Sequence, residues 1–277
     1  MPSHLRLTIA QTSSSNRHSE NIEALGHIVG IAVNDGSQML ALPEAFGLME
    51  RDHENALSQV VTEDQDPIIL ACQDHAAKHG LWIQAGSTPI LGTEKKFLNH
   101  ATMINPSGEI IASYDKLHLF DVFLTGKLPT GESERYDAGN EAVVVKTPFG
   151  RMGLSICYDL RFPHLYRDLA KAGAQIAFVP SAFTVSTGKD HWEVLLRARA
   201  IENGIWIIAA AQVGIHADGR RSWGHSLVIS PWGDIIADLG GKKTGARTLN
   251  IDLQKSESAR TQIPSLANEK PYGLVIK

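Results

Sequence analysis

Two cysteines in 277 residues, Cys72 and Cys157, are too few and too far apart for a disulfide framework. A reducing, cytoplasmic setting is therefore expected. Long apolar runs are missing too. No stretch approaches the roughly 18 apolar residues that a membrane-spanning helix needs. The opening MPSHLRLTIAQT has neither the basic start nor the apolar segment of a secretory leader. Positive charge is not in excess: 26 Lys and Arg against 30 Asp and Glu leave a net charge of −4. That balance argues against a nucleic-acid partner or an anionic membrane surface. Linkers, low-complexity segments and internal repeats are also absent, so residues 1–277 read as one domain.

What is present is ample apolar material, 43% of the chain, enough for a large core. It comes in alternating strand and helix patterns. LRLTIAQT alternates like a half-buried strand, and ENIEALGHIVGIAVNDG follows with helical spacing and a glycine stop. QMLALPE is a short buried run. A polar helical stretch at about 51–79 ends at His79-Gly80, before the strand-like LWIQAGSTPI. NHATMINPSGEIIASYDK reads as two strands around an Asn-Pro-Ser-Gly turn, and EAVVVKTPFGRMGLSIC repeats that form. AQIAFVPSAF is a further buried run, DHWEVLLRARAIENG a helix, and IWIIAAAQ, HSLVIS and DIIADLG are strands. Helices mixed with hairpins and buried strands imply an α/β sandwich, with helices covering layered sheets. The least regular stretch is 117–140, and a loop of that length is usually functional or mobile.

The residues that could carry chemistry stand apart in the sequence. Cys157, in GLSICYDLRFP, sits where a strand stops and just before Pro163 opens a helix. A thiol there is either small core filling or a nucleophile, and the local pattern leaves both open. Cys72, inside IILACQDHAAKHG, reads as packing. A nucleophilic thiol needs a base or a cation nearby. None of the 12 histidines carries a cysteine-protease signature. His191 and His225 border apolar elements, but their spacings are not those of a metal site, so no metal is expected. Glu44 interrupts MLALPEAF, an expensive place for a carboxylate unless it is paired or poised. It could equally be an exposed acid in the first turn of a helix. Lys116, between IIASYD and LHLFD, is an ordinary solvated lysine unless a partner claims it.

LPEAF at 42–46, YDKLHLFD at 114–121 and GLSICYDLRFP at 153–163 together resemble the carbon–nitrogen hydrolase (nitrilase) superfamily. The likeness continues through PSAFTVSTGKDHWEVLLRARAIENG, AAAQVG and WGHSLVISPWGD, and so covers nearly the whole chain. Three motifs in the family's order make it specific, where any one alone is weak. The resemblance implies an α-β-β-α sandwich, which agrees with the mixed pattern above. It also implies a Glu44, Lys116 and Cys157 triad, with Glu132 of GESERYDAG as the family's second glutamate. No cofactor is implied, and pairing into a homodimer or an assembly of dimers is.

By the same resemblance, Glu44 takes the Cys157 proton while Lys116 and the Tyr158 backbone N–H stabilise the oxyanion. A carboxylate acting as base and then acid is expected to have a pKa near the working pH. The SAF after Pro180 and the Thr-Gly before HWE are similar to the branch that acts on ω-amides of 2-oxo acids. Deaminated glutathione and 2-oxoglutaramate are the small linear amides expected as substrates. Arg161 is then a candidate grip for a substrate carboxylate, with Phe183 and Thr187 lining the pocket. Arg161 could instead brace Asp159 or a dimer interface, and Phe183 could be plain core. Nitrile or N-carbamoyl-amine hydrolysis would use the same triad. A dimeric binding or scaffold protein that kept the fold without turnover is the reading from another class.

Overall fold

The computed structural model describes residues 2–123 and 130–276. Its centre is the strand His4–Thr12, where the alternation in the sequence splits the side chains between two faces. Leu5, Leu7 and Ile9 enter the core between two sheets, whereas Ala10 faces a second core beneath helices. The strands Met39–Ala41 and Trp82–Gln84 extend this sheet in parallel, and Phe97–Ile104 continues it antiparallel. Ile110–Asp115 pairs with Phe97–Ile104 across the Asn-Pro-Ser-Gly turn. Among the described residues the second sheet has six strands, with Gly150–Leu154, Ala174–Phe178 and Trp206–Ala209 parallel at its middle.

Two helices, α1 (His18–Asn34) and α3 (Pro67–His79), cover the outside of the larger sheet through Leu25, Ile28, Ile68 and Cys72. On the far side, α4 (Pro163–Lys171) and α5 (Val185–Asn203) cover the smaller sheet with Tyr166, Leu169, Trp192 and Leu196. The order helix, sheet, sheet, helix is the α-β-β-α sandwich.

The stretch 51–79 is not one helix. A short α2 (His53–Leu57) ends early, and α3 starts afresh at Pro67. Proline disfavours helix in the residue before it, and Asp66 there accepts from the Ile68 and Ile69 N–H groups as a cap instead. Helix α5 begins at Val185, five residues before the Asp190 at which its apolar spacing becomes readable. A strand at Gly245–Asp252 runs antiparallel along His4–Thr12, from His4 opposite Asp252 to Gln11 opposite Gly245. Its residues are mostly exposed or half-buried, so it has no apolar alternation to read. It is followed by α6 (Gln254–Gln262) and a tail in which Tyr272, Leu274, Val275 and Ile276 are exposed. Among the described residues no helix is long and apolar enough to cross a membrane.

The two sheets meet at Ala210. Trp206–Ala209 belongs to the smaller sheet, and Ala211–Ile215 pairs with the end of His4–Thr12 in the larger one. Glu44 follows the parallel strand Met39–Ala41 of the larger sheet and Cys157 follows the parallel strand Gly150–Leu154 of the smaller one, so the candidate site lies where the C-terminal ends of the two sheets' strands come together.

Candidate active site

Cys157 follows the strand Gly150–Leu154 and opens a single 3-10 turn, Cys157–Arg161, ahead of α4. Its φ of 47° lies in the left-handed region, which costs a non-glycine residue about 1–3 kcal/mol and persists only where the surroundings dictate it. Those surroundings are visible. The Cys157 N–H donates to the Pro180 carbonyl at 3.0 Å. Asp159, wholly buried, accepts from the Ile156 N–H at 2.8 Å and the Tyr114 hydroxyl at 2.6 Å with one oxygen. Its other oxygen meets the His118 N–H at 3.0 Å and His118 Nδ1 at 2.7 Å. The turn carrying the thiol is thus tied to the residues on either side of Lys116.

Glu44 leaves the end of the strand Met39–Ala41 behind Pro43. Here Gly86 (φ 66°) lets the backbones close up, since a Cβ at Gly86 would lie 2.0 Å from the Pro43 carbonyl oxygen. The Glu44 side chain is buried and fully engaged. Oε2 accepts from the Ala182 N–H at 2.7 Å, and Oε1 accepts from Lys116 Nζ at 3.0 Å and Asn99 Nδ2 at 2.9 Å. The Cys157 thiol lies against Glu44 and interacts with its carboxylate. Lys116 follows the strand Ile110–Asp115 and is 2% exposed, not solvated. Its Nζ bridges to both oxygens of Glu132, at 3.0 and 2.9 Å. Glu132 sits in a short 3-10 turn and is held by the Phe120 N–H at 2.6 Å.

Burial opposes the charged forms of Glu44, Lys116 and Cys157, and their partners decide the outcome. For Glu44, burial pushes the pKa up, but the Lys116 charge and the hydrogen bonds from Cys157, Lys116 and Ala182 win and hold it below the ordinary value. For Lys116, burial alone favours the neutral amine, yet the charges of Glu132 and Glu44 raise its pKa well above normal. Burial and the Glu44 charge raise the Cys157 thiol well above normal, against a smaller lowering by Lys116. The resting site is therefore a protonated thiol against an ionised carboxylate and an ammonium. The expectation of a near-neutral pKa for Glu44 is corrected: three donors and a cation keep it ionised until it receives a proton. A thiol, a base touching it and a fixed cation are the parts needed for acyl transfer by a sulfur nucleophile.

Residues 6–261 match the carbon–nitrogen hydrolase family. This chain is a carbon–nitrogen hydrolase. The enzyme is 40% identical over 270 residues to deaminated glutathione amidase of Synechocystis, covering 96% of this chain and 98% of the relative. Among solved structures, the NitFhit protein of Caenorhabditis elegans superposes with a TM-score of 0.88 at 35% identity. That alignment covers 97% of this carbon–nitrogen hydrolase and 65% of the longer NitFhit chain. An amidase from Nesterenkonia sp. AN1 superposes with a TM-score of 0.80 at 26% identity, covering 97% of this chain and 94% of that one. That structure is of a Glu-to-Gln mutant of the amidase, with the acetamide moiety of fluoroacetamide added covalently at its active-site cysteine. With the family shown, this hydrolase is an amidase acting on C–N bonds.

Glu44, Lys116, Glu132 and Cys157, scattered over 114 residues of sequence, are thus brought into one hydrogen-bonded cluster. The residues expected to bind substrate lie beside it in varied states. Tyr158 packs edge-on against Phe120 and Phe162. The half-buried Arg161 guanidinium lies 5.8 Å from the Tyr158 ring and 5.6 Å from the Phe183 ring, and both terminal nitrogens approach His191 Nδ1 at 3.3 Å. It does not brace Asp159. Phe183 is buried against Trp192, and Thr187 is buried with its hydroxyl on Thr184. Asn99 and Asp159 were not singled out from sequence. Asp159 lies inside the CYDLRFP motif, so its place beside Cys157 was the available signal. Asn99 in FLNHATMI gave none beyond a polar residue on a buried strand. Among the described residues, no group of His, Cys, Asp and Glu is arranged to hold a metal ion.

Proposed function

We propose that this amidase hydrolyses a small linear ω-amide of a 2-oxo acid, of the deaminated-glutathione type, through a thioester on Cys157. The observation that carries the chemistry is the buried thiol set beside Glu44, which is itself paired with Lys116 at 3.0 Å. Glu44 takes the Cys157 proton as sulfur attacks the amide carbon. The C=O electron pair moves onto oxygen, where Lys116 and the Tyr158 N–H stabilise it. Glu44 returns the proton to the amide nitrogen, the C–N bond breaks, and ammonia leaves a thioester behind. Water then gives its proton to Glu44 and attacks the thioester. The C–S bond breaks, the thiol regains the proton, and the carboxylate product departs. Glu132, anchored by Phe120, holds Lys116 in position throughout.

The substrate class is supported by the deaminated glutathione amidases among the relatives and by Arg161 at the end of the nucleophile's turn. A guanidinium suits a substrate carboxylate, with Phe183 and Thr187 shaping the wall. The exposed tail side chains Tyr272, Leu274, Val275 and Ile276 favour a homodimer, or an assembly of dimers, that covers them. Two cysteines without a disulfide favour a cytoplasmic location.

Ammonia release tests the substrate reading on deaminated glutathione, 2-oxoglutaramate, an aliphatic nitrile, an N-carbamoyl amino acid and a neutral amide. The carboxylate-bearing ω-amides should turn over fastest. Arg161→Ala should raise their KM roughly ten- to hundredfold, the loss of one charge-assisted contact, and leave the neutral amide nearly unchanged. Equal weakening of neutral and anionic amides would make Arg161 structural, and faster turnover of the nitrile would overturn the substrate class.

A further inference from the structure

The proposed mechanism leaves one buried polar side chain in the cluster without a task. Asn99 lies on the strand Phe97–Ile104 and is 7% exposed. Its backbone is fixed from both sides. The Lys116 N–H donates to the Asn99 carbonyl at 3.0 Å, and the next residue, His100, is locked between Asp115 at 2.7 Å and Glu63 at 2.6 Å.

Asn99 Nδ2 lies 2.9 Å from Glu44 Oε1 and 3.4 Å from Glu132 Oε1. These are the two oxygens that Lys116 Nζ also bridges, each at 3.0 Å. Donors and acceptors therefore alternate around a closed ring: Lys116, Glu44, Asn99, Glu132. Both neighbours accept, so the NH2 end must face the ring, and its two hydrogens match its two carboxylates. The division of labour follows from shape. An ammonium is a rotatable point charge that attracts both glutamates without setting the plane of either. A planar amide on a rigid strand does set it. With Ala182 holding the opposite oxygen of Glu44, the carboxylate is pinned at both ends across from the thiol.

We infer that Asn99 is a positioning residue for the reaction: its amide, shared between Glu44 and Glu132, fixes the Glu44 carboxylate against Cys157 and holds the two glutamates together around Lys116. The inference rests on the assignment of Glu44 as the base for Cys157. Besides Asn99, the groups on Glu44 are Lys116, Cys157 and the Ala182 N–H, with Glu132 on the other side of Lys116 and Tyr136 interacting with Glu132 and Lys116.

The test compares Asn99→Ala and Asn99→Asp with the parent enzyme on one good amide substrate across pH. Asn99→Ala should lower kcat roughly ten- to hundredfold, the worth of a hydrogen bond to a charged group, with KM within about twofold. The acid limb of kcat/KM should move to higher pH, because Glu44 loses a donor to its charged form. Asn99→Asp keeps the size but puts a third carboxylate in the ring, so it should fall at least as far. It carries the test if the alanine variant does not fold. A folded variant with parental kcat and an unmoved acid limb overturns the inference, as does a lowered melting temperature with an unmoved limb. Glu44→Gln and Cys157→Ala are run alongside. If they retain turnover, the assignment of the base and nucleophile fails; if they are dead while both Asn99 variants match the parent, only the role of Asn99 fails.

Discussion

Asp159→Asn perturbs the joint between the nucleophile's turn and the lysine's segment while changing almost no volume. One oxygen of Asp159 accepts from the Ile156 N–H and the Tyr114 hydroxyl, and the other contacts the His118 N–H and His118 Nδ1. An asparagine must place its NH2 on one of these sides. The Tyr114 hydroxyl can rotate to accept, and the His118 ring can change tautomer, but neither backbone N–H can reverse. Whichever way the amide turns, one buried backbone donor loses its acceptor, which costs about 1–3 kcal/mol. At about 2–4 °C per kcal/mol for a chain of nearly this size, thermal melting should fall by roughly 2–12 °C. Activity should fall further than stability. The lost bond lets Ile156 or His118 drift, and these flank Cys157 and Lys116; a misplacement on the order of 1 Å can cost about a hundredfold in rate. Circular-dichroism melting and steady-state ammonia release on the same preparation measure both. Melting and kcat equal to the parent's would refute the reasoning, since an unpaired donor in so closed a site must register in at least one.

His100 carries a pH signature. Burial pushes its pKa down, but the hydrogen bonds and charges of Asp115 and Glu63 outweigh burial and raise it. A raised folded-state pKa means the stabilisation is complete below the ordinary histidine value of about 6.5 and is lost as pH rises through the raised value. The melting deficit of His100→Gln should therefore be largest at about pH 6 and shrink in alkaline buffer; a deficit constant with pH would contradict this. Assembly is checked by light scattering at micromolar concentration. A species of twice the 30.1 kDa chain mass or a multiple of that is expected, and a lone 30.1 kDa species would count against it.

The sequence carried much of this fold because its strongest patterns belong to its most buried parts. His4–Thr12 and Ala174–Phe178 were readable because their apolar side chains face cores. Gly245–Asp252 was not, because a largely exposed strand carries no such pattern. The break within 51–79 was marked by Asp66-Pro67, a helix start hidden inside a polar helical stretch. In the site, Glu44 and Cys157 stood out as functional types ending apolar runs. Lys116 was legible only through its motif, since nothing local distinguishes a lysine at 2% exposure from a solvated one. Asn99 escaped because its importance comes from two partners 55 and 33 residues away, a relation that only the folded chain creates. The branch residues Phe183 and Thr187 were named by resemblance, and their burial leaves Arg161 the more accessible of the three.

The central claim is that one thiol, Cys157, carries the acyl group, and graded inactivation by iodoacetamide tests it most directly. Residual activity is plotted against label per chain from intact mass, the labelled residue is found by peptide mapping, and the run is repeated with amide substrate present. Cys72 is buried in the helix–sheet core away from the site. Activity should fall in proportion to label on Cys157, reach zero at one label per chain, and be protected by substrate. Loss of activity that follows Cys72, or full turnover with Cys157 alkylated, would contradict it.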